Sequence, residues 1–161
     1  MLNKTSISAI RALIYLGIHG NNEPVSPKRV AEQLGESQTY LAKVMNHMVR
    51  AGIVRSHRGG GGGATLNRLP ENITLLSIVE ACQGAILGNF CEDAEELPGT
   101  CAFHQATAEL HGAIVDVLSR WTLAHLMAKP HPSPEIAAKH VRCWLEPLKS
   151  IDREEFSPTD E

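Results

Sequence analysis

The chain has 161 residues, 43% of them apolar, and a formal net charge of −3. That length and composition describe a globular chain able to bury a real core and exclude a disordered or fibrous one, and no run of about 18 apolar residues predicts a membrane span. The charge is unevenly placed: up to residue 70, nine lysines and arginines face three glutamates, and from residue 71 on six face fifteen acidic residues. A basic front and an acidic remainder point to a polyanion-binding module with a separate regulatory part.

The opening MLNKTSISAIRALIYLGIHG has an early lysine and an apolar stretch, as a signal peptide would. However, Arg11 interrupts it, no small-residue cleavage site follows and its spacing is helical. An amphipathic helix of a cytoplasmic protein is expected from about Ser6 to His19, with Ile7, Ile10, Leu13, Ile14 and Ile18 on one side. After the turn GNNEPVSP, Ser26 is placed to cap a helix with Pro27 in its first position and Gly35 at its end. Ser37 then caps SQTYLAKVMNHMVRAG, whose Leu41, Val44, Met45, Met48 and Val49 form a stripe to be buried, and Gly52 ends it. Two helices joined by so short a Gly-containing turn read as a helix-turn-helix.

Five consecutive glycines follow in RGGGGGATLNR, between the short extended segments Ile53–Arg55 and Ala64–Leu66. A phosphate-binding P-loop needs a Lys-Ser/Thr pair and a following helix, and a dinucleotide fingerprint needs a βαβ unit; neither is present. A linker is disfavoured by strands so close on both sides. The pattern is a hairpin with a permissive tip, the shape of a wing. Thr74 next caps LLSIVEACQG, an acidic loop follows, and a single long helix is expected from Cys101 to Met127. Its Phe103, Leu110, Ile114, Val117, Trp121 and Ala124 recur at heptad-like spacing, and a final helix is expected over Glu135–Leu145.

The first helix, VAEQLGESQTYLAKVMNHMVRAGIV, the wing SHRGGGGGATLNR and ITLLSIVEACQG together resemble the winged-helix transcription regulators that include the iron–sulfur cluster regulator IscR and the nitric-oxide-sensitive repressor NsrR. The resemblance covers residues 1 to about 128, and the Arg-Gly wing followed by ITLLSIVEA is its most specific part. It implies a mainly α fold: a winged helix-turn-helix with a small β-hairpin wing and a long dimerisation helix. The expected organisation is a DNA-binding domain over 1–82, a sensor loop over 83–100 and a dimerisation helix and C-terminal helix over 101–149, while the acidic composition of residues 150–161 predicts a disordered tail. The implied partners are a double-stranded DNA operator and a second copy of the chain, with no membrane. The implied role is a homodimeric repressor.

The third helix presents its N-terminus, with Ser37, Gln38, Thr39 and Tyr40 and then Lys43 one turn later, as the reading end. Hydroxyls suit phosphates and Gln38 suits an adenine edge. By resemblance, Ser37, Thr39, Tyr40 and Arg58 fall on DNA-contacting positions. Ala42 stands where IscR carries the acidic residue that discriminates bases, so its sequence rules do not transfer. The competing structural reading makes Ser37 a cap alone and Tyr40 a core residue.

Of the four cysteines, Cys82 on an apolar helix and Cys143 beside Trp144 read as packing. Cys91 and Cys101 bracket the acidic loop, where the resembled family holds an iron–sulfur cluster with three cysteines; here the middle one is missing. His104 follows Cys101 by three residues, a spacing that places both on one helical face and lets them ligate one metal. Residues 5–8, TSIS, offer no further donor. A two-iron cluster (2Fe-2S) on Cys91, Cys101 and His104 with one more ligand is the reading on the metal side. The alternative is a thiol–disulfide switch, or another metal, at Cys91 and Cys101. It is suggested by the different fields of a helix start and of Glu92–Asp93. CAFH as a nucleophile with its imidazole lacks an orienting acid and oxyanion donors, so an enzyme is not expected.

Overall fold

Asn3, rather than Ser6, starts the first helix. In the computed structural model, which describes residues 2–20, 23–59, 62–86 and 101–137, α1 runs Lys4–His19 and the Asn3 side chain accepts the Ser6 N–H at 2.8 Å. Ser6 is buried and gives its hydroxyl to the same Asn3 oxygen, so it serves the cap from inside the helix. α2 (Pro27–Leu34) starts as its sequence dictates, with Ser26 accepting from Arg29, and closes on Gly35 at φ +66°, the left-handed conformation glycine adopts without strain. α3 (Gln38–Arg50) is capped by Ser37, whose hydroxyl accepts the Tyr40 N–H at 3.2 Å.

Leu41, Val44, Met45 and Met48 bury one face of α3, but Val49 is 37% exposed instead of joining them. The four already fill the inward arc at helical spacing, and the next residue is turned about 100° away from Met48. Strands β1 (Val54–His57) and β2 (Gly63–Leu66) pair antiparallel, Val54 opposite Leu66 and His57 opposite Gly63. The hairpin is longer at its tip than residues 53–55 and 64–66, and Ile53 leaves the ladder for the core, giving its N–H to Met48 O. Val25 adds a bridge to Ala64 on the outer side, with N–H···O distances of 3.0 and 2.9 Å. A Cβ on Gly63 would lie 2.5 Å from Val25 O, so this approach requires glycine.

A single 3-10 turn over Pro70–Asn72 leads to α4 (Leu75–Gln83), capped by Thr74 as its sequence predicts. The long helix expected from Cys101 to Met127 is instead two. α5 covers Ala102–Arg120 and α6 covers Leu123–Ala128, with Trp121 and Thr122 extended between them. The break is made by tertiary pairing: Thr74 and Thr122 form a β-bridge, Leu75 donates to Trp121 O and Leu123 donates to Ile73 O, both at 2.8 Å. His125 Nδ1 accepts the Thr122 N–H, which restarts the helix. The heptad stripe runs across this corner, and its periodicity conceals it.

The core draws Leu13 and Ile14 from α1, Leu41 and Met48 from α3, Ile53 at the wing base, Ile73 and Ile78 around α4, and Leu123 from α6. Full burial of each such side chain contributes about 1.5–3 kcal/mol. Of the expected last helix, Pro134–Ala137 forms α7; the part to Leu145, the acidic loop from 87 to 100 with Cys91, Cys143 and the tail at 150–161 lie outside the described residues.

Candidate functional site

Ser37, Gln38, Thr39 and Lys43 are exposed at the start of α3, and Arg58 is exposed where β1 enters the tip. The tip turns at Gly59, φ +113°, and Gly62 N–H bonds back to Gly59 O. Tyr40 is placed differently from its neighbours: its ring packs against the core and its hydroxyl is buried, with no hydrogen bond among the described residues. Lys4 Nζ lies 5.2 Å from the centre of that ring. Ser37 both caps the helix and stays exposed, so the capping role does not withdraw it from the surface.

A polar cluster adjoins the Ser37 cap. Arg11, the charge that interrupts the apolar face of α1, reaches Leu34 O with Nη2 at 3.0 Å and Glu36 Oε1 with Nη1 at 3.7 Å. The Ser8 hydroxyl donates to the same Glu36 oxygen. The Arg11 and Glu36 side chains are only 10% and 11% exposed. The cluster therefore ties α1 to the last carbonyl of α2 and to the residue just before the Ser37 cap. Sequence reading missed it, although a charge within an apolar helical stripe was its signal.

Cys101 is the N-cap of α5, with extended backbone and an exposed thiol. His104, one turn on, is 2% exposed, and its Nδ1 is buried with no hydrogen-bond partner among the described residues. The spacing had predicted a shared helical face; the cap geometry instead leaves one donor outside and the other inside. The His104 nitrogen, without a partner among the described residues, and the exposed Cys101 thiol are each free to bond a further group, but their opposite exposure does not join them in one site. Among the described residues no three metal-binding side chains converge. His111 Nε2 is engaged with Ile86 O at 2.7 Å, and His125 restarts α6. Cys82 packs against the core, where burial pushes its thiol up from the usual range and a hydrogen bond with Ser6 only partly opposes this. Its thiol is kept protonated, as a packing residue.

α5 carries two faces. His104 and Leu118 are buried, while Phe103, Leu110 (61% exposed), Val117 and Trp121 are on the surface. Its start holds Cys101, and its end, about 28 Å away at 1.5 Å per residue, is the Trp121–Leu123 joint with the winged unit.

The family model described as "Iron-dependent Transcriptional regulator", Rrf2, matches residues 2–129. The chain belongs to the Rrf2 family. Among Rrf2 relatives, the transcriptional repressor NsrR of Streptomyces coelicolor is 30% identical over 132 residues, covering 80% of this chain and 89% of that protein. The regulator IscR of Vibrio campbellii is 28% identical over 121 residues, covering 74% of this chain and 72% of its own. The solved structure of CymR, the global cysteine regulator of B. subtilis, superposes with a TM-score of 0.67 at 26% identity, covering 80% of this chain and 96% of that one. The mainly helical winged fold is thus that of Rrf2 regulators, and the chain is a DNA-binding transcription regulator rather than an enzyme. Among the described residues no helix is long and apolar enough to cross a membrane.

Proposed function

We propose that this Rrf2 protein acts as a cytoplasmic homodimeric repressor that grips an operator with α3 and the wing. The observation that supports this most is the exposure of Ser37, Gln38, Thr39 and Lys43 at the start of α3, together with that of Arg58 on the wing. Gln38 has the donor–acceptor pair for a base edge, the hydroxyls and Lys43 suit phosphates, and Arg58 enters with the tip. Tyr40 serves the same end through the ring that anchors α3. Two such protomers pair through the exposed stripe of α5, and the spacing of the two α3 helices then selects two half-sites. Arg58→Ala is expected to weaken binding about tenfold and to flatten the salt dependence by about one unit of slope. A mobility-shift titration with unchanged affinity would remove Arg58 from the interface.

The switch belongs at the other end of α5. Cys91, Cys101 and His104 are the residues that would hold an iron–sulfur cluster (2Fe-2S), supported by the orphaned His104 nitrogen. When bound, such a cluster supplies sensitivity to oxidants and to iron supply. A change at Cys101 moves the start of α5, and the Trp121–Leu123 joint carries it to the segment that caps α4. The exposed Cys101 thiol favours a second reading: Cys91 and Cys101 lose two protons and two electrons to a peroxide, which leaves as two waters, and the sulfurs join as a disulfide. Anaerobic purification with an absorption spectrum and iron, sulfide and zinc analysis separates these. Visible absorption with stoichiometric iron and sulfide is expected. A metal-free protein whose two thiols disappear after peroxide would establish the disulfide switch instead.

A further inference from the structure

α1 begins with a cation where helices favour an anion. Lys4 is the first residue of α1, and no acidic residue occupies that turn. A positive side chain there opposes the helix dipole, and Lys4 takes part in none of the ion pairs among the described residues. Its ammonium is instead held over the Tyr40 ring, 5.2 Å from the centroid, and the lysine remains exposed. That ring belongs to the first turn of α3, one residue beyond the exposed Gln38 and Thr39.

A ring face occupies one side of an ammonium and leaves N–H donors on the other free to bond. Tyr40 contributes its face only, because its hydroxyl is buried. The ammonium is therefore positioned at the border between α1 and the reading end of α3, and the long flexible stem of a lysine is restrained before any ligand arrives.

We propose that Lys4 binds a backbone phosphate of the DNA duplex, on the platform of the Tyr40 ring, at the edge of the groove that α3 enters. The proposal rests on the reading of α3 as the recognition helix and adds to it a contact from α1. A phosphate contact of this kind sets affinity and register and carries no base preference. Lys4 should thus contribute equally on good and poor sequences.

The test uses the full chain and a duplex that the unaltered protein selects from a randomised pool. Binding is followed by fluorescence anisotropy from about 50 to 200 mM salt. Lys4→Ala is expected to bind about fivefold more weakly at the low end, with the slope of log K against log salt reduced by about 0.9. The same loss is expected on a scrambled duplex. In a double-mutant cycle, Tyr40→Leu and Lys4→Ala should be non-additive, the pair losing less than the two single losses combined. Unchanged affinity and slope in Lys4→Ala, with its helical circular dichroism retained, would overturn the proposal while leaving the α3 reading intact. A weaker affinity with an unchanged slope would also overturn it, since no phosphate charge would then be involved. Failure of the unaltered protein to select any duplex would overturn both.

Discussion

Replacing Glu36 with alanine should lower the thermal unfolding midpoint by about 6–12 °C. The carboxylate is nine-tenths buried, lies 3.7 Å from an equally buried Arg11 guanidinium and accepts the Ser8 hydroxyl. Removing one partner of a buried pair leaves the other charge poorly compensated, at a cost of about 3 kcal/mol. For a chain of this size each kcal/mol moves the midpoint by about 2–4 °C. Because Glu36 directly precedes the Ser37 cap, DNA affinity should fall as well, even at temperatures where the variant is fully folded. Scanning calorimetry beside a binding titration checks both effects. A midpoint shift under about 2 °C would mean that the pair contributes nothing beyond its desolvation cost. Ser8→Ala, which leaves the charge pair in place, should cost about half as much.

Leu110→Glu is the second large effect, and it acts on assembly rather than on folding. Leu110 is 61% exposed on the protomer and lies seven residues from both Phe103 and Val117, so a carboxylate there is solvated and should leave the monomer fold intact. In a two-fold symmetric dimer built on this stripe, the substitution occurs twice and meets its own copy or an apolar neighbour. Loss of two buried leucines amounts to about 3–6 kcal/mol, enough to make the protein monomeric at micromolar concentration. Binding to a duplex with two half-sites should drop by at least about 100-fold, whereas the weak binding of one half-site should persist. Sedimentation or light scattering reads the first outcome and anisotropy the second. A variant that stays dimeric would move the interface off this face of α5.

Much of the candidate interface was legible because its signals are local. Ser26, Ser37 and Thr74 each cap the helix that follows, and Gly35 and Gly52 adopt the positive φ their positions demanded. The wing followed from two short extended segments around glycines, and the exposure of Ser37, Gln38 and Thr39 followed from the burial stripe behind them. Tyr40 was harder. Side-chain type alone suggested a hydroxyl for phosphate, while the ring's direction depends on how α1 crosses α3. Similarly, Cys101 and His104 have the spacing of a shared helical face, but the cap conformation of Cys101 sends one outward and the other inward.

The amino-acid sequence by itself determined the order of elements, their caps, the wing and the apolar faces, because each depends on a backbone preference or a periodicity within a few residues. Tertiary structure alone decided three things. Pairing of 73–75 with 121–123 cut the long helix where its heptad pattern continued. The crossing of α1 behind the turn joined Ser8, Arg11 and Glu36 into one polar cluster, and the same crossing set Lys4 over the Tyr40 ring. Each brings together residues at least 25 positions apart in sequence. No local preference encodes such a contact; it exists only because burial of the common core fixes where the helices cross.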